Sequence, residues 1–162
     1  MIMLKPYMKP YHRETRLDDI LELSKNLRWE DVREVITLGS DPENALLGGY
    51  IASTIKRTII DSYDNPVGAY GVVPCPQLSE RSGIVWMLGT DKLNDIKTSF
   101  LKHSRSEVNR MNEAFPHLSN VIDSRNELHI KWIKWCGFKI IGEKMINNHK
   151  FYEFCRVADA SI

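Results

Sequence analysis

The chain has 162 residues, of which 43% are hydrophobic and 27% charged, and this predicts a single domain over residues 1–162. Its 22 basic and 21 acidic residues give a net charge of +1, so the electrostatic attraction to phosphate that marks many nucleic-acid-binding proteins is not expected. Because no apolar run approaches the ~18 residues of a membrane span, we expect no membrane segment and a cytosolic protein.

The three cysteines, Cys75, Cys136 and Cys155, are odd in number and widely spaced. They do not form pairs with the spacing of metal ligands, and their neighbours are apolar. We therefore expect buried thiols in a reducing compartment and no metal site.

The N-terminal third is predicted to contain one strand and three helices. Pro6 and Pro10 cannot donate hydrogen bonds to a neighbouring strand, which restricts residues 4–11 to an edge strand or an extended arm. Apolar residues at helical spacing follow, with Val32, Val35 and Ile36 on one face of the second helix. The predicted helices cover residues 16–27, 29–38 and 42–55.

From Arg57 onward the pattern changes to strands. A hairpin is predicted over residues 57–73, followed by a continuous apolar strand at 83–88 that is typical of a buried position. Residues 96–115 have the periodicity of a long amphipathic helix. The remaining predicted elements are a strand at 118–123, a helix with a Ser124–Glu127 capping box that ends at Gly137, and a final hairpin across Asn147 and Asn148.

This order of elements predicts an α/β fold with a mixed sheet. Two apolar strands joined by a long helix favour a right-handed crossover between parallel neighbours. We therefore expect the strand near 83–89 to run parallel to the strand near 118–123, with the two strands diverging at their C-terminal ends.

The C-terminal third carries a more specific signal. An Asn opens the helix, and a Gly-Phe pair closes it eleven and twelve positions later, here Asn126, Gly137 and Phe138. This segment resembles the GNAT superfamily of acyl-CoA N-acyltransferases, which implies a GNAT-like mixed sheet with helices on both faces. Together with residues 86–91 and 100–111, it also resembles a family of small phage proteins that includes an internal virion protein of short-tailed phages; this second resemblance covers residues 57–157.

The superfamily resemblance implies an acetyl-CoA site after the central strand. In the superfamily, backbone N–H groups of a basic, glycine-rich turn hold the pyrophosphate at a helix N-terminus. Here the corresponding turn, residues 89–94, has one glycine, one lysine and an aspartate that would repel phosphate. It is either an atypical phosphate site aided by Lys97 or a solvated charged turn. The cofactor-binding residues that the resemblance implies are Met87, Leu88, Gly89, Thr90, Lys92 and Asn126.

The catalytic residues that the resemblance implies are incomplete. Many superfamily members use a Tyr seven positions after the helix Asn to protonate the leaving thiolate, and this chain has Ile133 there, which cannot donate a proton. The candidates are then Asp123 as a base, Asn126 as a hydrogen-bonding group and His129 as a titratable group. Each has a structural alternative: Asp123 as a helix cap, Asn126 as a first-turn residue and His129 as a surface or core group.

Two classes of function follow from these observations. The first is a phage-encoded acetyltransferase with an atypical, degenerate acetyl-CoA site, acting on an amine of a phage or host protein. The second is a noncatalytic internal virion or morphogenesis protein that acts through protein–protein contacts. The 89–94 turn and Ile133 favour the second class. The phage resemblance implies a location in the host cytoplasm or in the virion.

Overall fold

A computed structural model describes residues 9–158 as a mixed seven-stranded sheet with five α-helices packed against it. The sheet order is β1-β2-β3-β4-β5-β7-β6, and within the described residues β4 and β5 form its parallel pair. The elements are β1 (Tyr11–Glu14), α1 (Leu17–Ser24), α2 (Trp29–Thr37), α3 (Pro42–Ala52), β2 (Ile55–Ile60), β3 (Pro66–Pro74), β4 (Ser82–Gly89), a 3-10 helix (Asp91–Ile96), α4 (Lys97–Ala114), β5 (His117–Asp123), α5 (Glu127–Trp135), β6 (Lys139–Ile146) and β7 (His149–Val157).

Helices cover both faces of this sheet, which confirms the predicted fold class. Side chains alternate between the two faces along each strand, so neighbouring residues of β4 enter different cores. Leu88 packs with α1 and α3 residues such as Ile20 and Leu46. Val85 packs on the opposite face with α4 and α5 residues such as Phe100 and Ile133.

The predicted parallel pair is confirmed. Ser82, Gly83 and Ile84 of β4 pair with His117, Leu118 and Ser119 of β5, and the ladder ends there. The strands continue to Gly89 and Asp123 and separate beyond the ladder. The crossover through α4 thus produces a sheet that is open at the C-terminal ends of two adjacent strands.

Several predicted boundaries were wrong. The third helix ends at Ala52, because Ile55 already pairs with Val72 as the first residue of β2. The 3-10 helix before α4 was not predicted. Most of the strand predicted at residues 4–11 lies outside the described residues; the described edge strand is β1.

The predicted capping box of α5 was also wrong, and the face predicted for α2 is buried only in part: Val35 is buried. The N-cap of α5 is Asn126, and its side chain turns to other partners instead of capping the helix. On α2, the fully buried side chain is Asp31, whereas Ile36 is 55% exposed. The Asp31 carboxylate of α2 therefore faces the protein interior, where it is hydrogen-bonded.

The end of α5 agrees with the sequence. The Phe138 N–H donates to the Ile133 carbonyl at 3.0 Å, and the Gly137 N–H donates to the Lys134 carbonyl at 3.1 Å, which is the pattern of a Schellman motif. Gly137 has φ +89°, a left-handed conformation in which a Cβ is unfavourable.

Gly137→Ala is therefore expected to lower the free energy of unfolding by about 1–2 kcal/mol. Gly48→Ala is the matched control, because Gly48 lies within α3 with open space around its Cβ position. That substitution should be neutral or stabilising by up to about 1 kcal/mol. Denaturant unfolding of both variants measures the difference, and equal midpoints would contradict the assignment of strain to Gly137.

Candidate functional site

The gap between β4 and β5 leaves part of β4 without a neighbouring strand. The Thr90 N–H donates to the Val67 carbonyl, and hydrogen bonds of an antiparallel pair alternate along a strand, so the N–H and C=O of Met87 point away from β3. At the base of the gap, the Asn120 side-chain amide donates to the Val85 carbonyl at 2.7 Å. Met87 therefore presents a free backbone edge to the gap.

A cavity of about 180 Å³ fills this gap and opens to solvent; we call it the cleft. It runs from Trp132 and Ile133 of α5, between β4 and β5, to Leu38 and Gly49 at the opposite face. Its polar side chains are Glu34, Asn120 and His129, and its other lining residues are apolar, aromatic or glycine. The cleft is thus an apolar passage through the open end of the sheet.

A second cavity of about 240 Å³, the side pocket, lies between the starts of α4 and α5. Apolar side chains line most of it. Two lysines, Lys97 and Lys131, are also among the lining residues. Met87, His129 and Trp132 line both cavities. The cleft and the side pocket therefore meet at these three residues.

Asp31 of α2 is buried behind this junction, with no exposed surface. Its Oδ2 accepts a hydrogen bond from the Gly89 N–H at 2.8 Å, and its Oδ1 accepts from Arg28 at 3.0 Å and from the Asn126 amide at 3.1 Å. Arg28 also donates to Asn126 Oδ1 at 3.1 Å. One carboxylate thereby holds α2, the end of β4 and the start of α5 together.

His129 belongs to the same network. Its Nδ1 lies 3.4 Å from Asp31 Oδ1 and 3.5 Å from the side-chain amide nitrogen of Asn126. Burial lowers the pKa of His129, a shift that the nearby Asp31 opposes in part. The ring is therefore neutral near pH 7. Among the described residues, none forms a hydrogen bond with the buried Nε2.

Glu34 supplies the cleft with a second titratable group. Its Oε1 accepts a hydrogen bond from the Asp123 N–H at 2.6 Å, which fixes the carboxyl against the end of β5. Burial raises the pKa of Glu34 to about 8. At neutral pH most Glu34 side chains therefore carry a proton.

The predicted catalytic residues occupy different environments. His129 lines the cleft, as a catalytic group would require. Asn126 is fully buried and bonded to Arg28 and Asp31, so it orients the network behind the cavity. Burial alone would raise the pKa of Asp123, but two hydrogen bonds from the Arg125 side chain, at 2.6 and 2.9 Å, contribute to a net lowering. The catalytic roles of all three stay predictions.

Some of the predicted cofactor-binding residues line the cleft, and others do not. Met87 and Leu88 line the cleft. The Gly89 N–H is taken by Asp31, and the Thr90 hydroxyl donates to the Val67 carbonyl. Lys92 is exposed and lines neither the cleft nor the side pocket.

Apolar side chains of the 89–96 segment fill the space inside the 89–94 turn. Leu93 and Ile96 are buried, and Leu93 packs so closely on Gly89 that a Cβ on that glycine would lie 2.2 Å from its side chain. The charged residues of this turn, Asp91 and Lys92, face solvent. The turn thus has the form of a closed, solvated 3-10 helix, and the cationic residues that line the side pocket are Lys97 and Lys131.

Two important residues of the site, Asp31 and Glu34, were not predicted. Asp31 lies four positions before Val35, the buried apolar residue of α2, so a carboxylate on the apolar face was the available signal. Glu34 had no comparable signal, because its hydrogen-bond partner lies 89 positions away in the chain.

The described residues contain neither a cluster of metal ligands nor a membrane-spanning helix. Within residues 9–158, no three His, Cys, Asp or Glu side chains are grouped closely enough to hold a metal ion. In the same range, every helix is too short or too polar to cross a membrane.

Comparison with solved structures places this architecture among GNAT acetyltransferases. The chain is similar to the ribosomal-protein-S5-alanine acetyltransferase from Vibrio fischeri, with 14% identity, a TM-score of 0.66, and coverage of 96% of this chain and 97% of the other. It is similar to a GCN5-related N-acetyltransferase from Kribbella flavida, with 14% identity, a TM-score of 0.66, and coverage of 91% and 97%. A third is the spermidine N-acetyltransferase from Vibrio cholerae in complex with CoA and spermine, with 14% identity, a TM-score of 0.60, and coverage of 92% and 95%.

At these identities the likeness shows the fold alone, and the fold is that of the GNAT acetyltransferases. No protein-family profile and no curated protein sequence matches the chain.

Asp31→Asn is expected to reduce the free energy of unfolding by about 3–5 kcal/mol, because it breaks a fully buried ion pair and leaves Arg28 with only the partly exposed Glu30 as an anion. Asp95→Asn is the matched control, since Asp95 is exposed in the 3-10 helix. Chemical denaturation of the two variants measures the difference. Equal stabilities would show that Asp31 does not hold the three elements together.

Glu34 should give stability a distinct pH dependence. Folding raises the pKa of Glu34 from 4.5 to about 8. The contribution of Glu34 to the free energy of unfolding is therefore fully present below about pH 4.5. It is lost as the pH rises through about 8. In Glu34→Gln, this loss of unfolding free energy between pH 5 and 8 should disappear, whereas Glu22→Gln on the exposed face of α1 should follow the parent. Parallel curves for Glu34→Gln and the parent would contradict the raised pKa.

Proposed function

We propose that this protein is an acyl-CoA-dependent N-acetyltransferase with an atypical cofactor site. The observation that carries the proposal is the junction of the cleft and the side pocket, where the free backbone edge of β4 meets the neutral imidazole of His129. Open strand edges bind extended amide-containing ligands, and neutral histidines in cavities move protons. Both properties are needed for acyl transfer.

The residues around the junction suit acetyl-CoA. The N–H and C=O of Met87 would hold the amide-containing arm of CoA at the edge of β4. Because the 89–94 turn is filled, Lys97 and Lys131 of the side pocket would pair with its phosphates. When bound, acetyl-CoA supplies the activated acyl group.

Two side chains of the chain can handle protons. Glu34, at the α2 side of the cleft, accepts the proton of an acceptor amine once it is ionised. His129, at the junction, would take up a proton from solvent and give it to the leaving thiolate, while Asp31 stabilises the charged ring and Glu34 returns the proton of the amine to solvent. His129 lies one turn before Ile133 on the same face of α5, so it supplies a titratable group to the cavity where Ile133 cannot.

A second function is favoured by a different observation. The filled 89–94 turn and the Asp31-bonded Gly89 N–H remove donors that a phosphate would need, which supports a noncatalytic role in binding a phage or host protein. Phage origin, and a location in the host cytoplasm or virion, rest on the resemblance over residues 57–157 and are part of this proposal.

Calorimetry with acetyl-CoA and a thiol-release assay with a panel of amines test the proposal. We expect binding weaker than micromolar and turnover below ~1 s⁻¹, because the phosphate anchor has two lysines and no open glycine-rich turn. His129→Gln should lower kcat by at least ~10²-fold, and His149→Gln on β7 should not change it.

The outcomes separate the two functions. No binding at millimolar acetyl-CoA would overturn the acetyltransferase proposal and favour the noncatalytic role. Micromolar affinity with turnover above ~1 s⁻¹ would establish the enzyme and contradict the weak site.

A further inference from the structure

The acceptor end of the cleft consists of Glu34, Leu38, Ala45, Gly49 and Trp86, which α2, α3 and β4 contribute at the face opposite α5. Only one of these side chains can be charged. The others offer apolar and aromatic surface. An acceptor that enters here therefore meets a single carboxyl in an otherwise apolar wall.

Trp86 makes this wall rigid. Its indole N–H donates to the Ser53 hydroxyl at 2.7 Å, which fixes the ring. The ring lies so close to α3 that a Cβ on Gly49 would come within 3.0 Å of it. The aromatic surface is thus held in place from two sides and cannot turn away to admit a polar substrate.

The charges near this end do not favour a second cation on the acceptor. The carboxylate of Asp123, next to Glu34, is already paired with Arg125 at 2.6 Å. Arg33 also lies close enough to lower the pKa of Asp123, so this end of β5 carries two guanidinium groups. A second ammonium group on the acceptor would face apolar surface or these arginines, and an uncompensated charge in such a place is costly.

We propose that the acceptor is a primary amine with one cationic centre on an apolar or aromatic body, and that polyamines and lysine-rich peptides are excluded. This inference rests on the proposed acetyltransferase function. It adds the substrate class to that function and does not depend on how strongly acetyl-CoA binds.

Phenethylamine and spermidine are suitable probes, since the first has one amine on an aromatic body and the second has three cationic centres. In the thiol-release assay, kcat/KM of the parent protein should be at least ~10-fold higher for phenethylamine than for spermidine. In the absence of acetyl-CoA, phenethylamine should shift the Trp86 indole N–H resonance in a heteronuclear NMR spectrum, and spermidine should leave it unchanged.

Leu38→Asp provides the variant test. Leu38 is 45% exposed and lines the cleft, so an aspartate there adds a second carboxylate without emptying the core. It should reduce the preference for phenethylamine at least ~10-fold. Ile36→Asp is the matched control: Ile36 is 55% exposed on the same helix, does not line the cleft, and its replacement should leave the preference unchanged.

The two proposals fail in different ways. If no amine gives turnover but phenethylamine still shifts Trp86, the acetyltransferase function is overturned, and only the selectivity of the cleft for an aromatic amine with one cationic centre stands. If spermidine is turned over faster than phenethylamine, if neither amine shifts Trp86, or if Leu38→Asp behaves like Ile36→Asp, the acceptor class is overturned.

Discussion

The buried carboxylate of Asp31 is the constraint on which the site depends. A charge with no exposed surface is tolerated only when it is paired and hydrogen-bonded, and Asp31 meets this requirement through Arg28, Asn126 and the Gly89 N–H. These partners lie before α2, before α5 and at the end of β4. Satisfying one carboxylate therefore fixes the relative positions of the elements that surround the cleft.

The Asp31 carboxylate affects the 89–94 turn and His129 in different ways. It uses the Gly89 N–H, which is then unavailable to an anion, and the turn that follows is filled by Leu93. It also lies 3.4 Å from Nδ1 of His129, whose side chain lines both cavities. The site thus loses free donors at the turn, while α5 contributes a titratable group to the cavities.

What could be predicted from the sequence was local or periodic. The parallel pair of β4 and β5 followed from two apolar runs joined by an amphipathic helix, and the end of α5 followed from Gly137. The position of Asp31 at the centre of the site could not be predicted, because its partner Asn126 lies 95 positions away. Periodicity grouped Val35, which is buried, with Ile36, which is exposed. Because it counts apolar residues, it cannot recognise a buried carboxylate whose charge is compensated by distant groups.

Burial assigns opposite protonation states to the two titratable groups that line the cleft. It disfavours the charged form of each, so Glu34 holds its proton to about pH 8 while His129 stays neutral. At neutral pH His129 can therefore accept a proton directly, whereas Glu34 must first ionise. The apolar lining that sets both states is also the basis of the proposed acceptor class, because it would favour an amine without further charge. In the proposed function, desolvation of the cleft would therefore govern both the protonation states of the site and the choice of substrate.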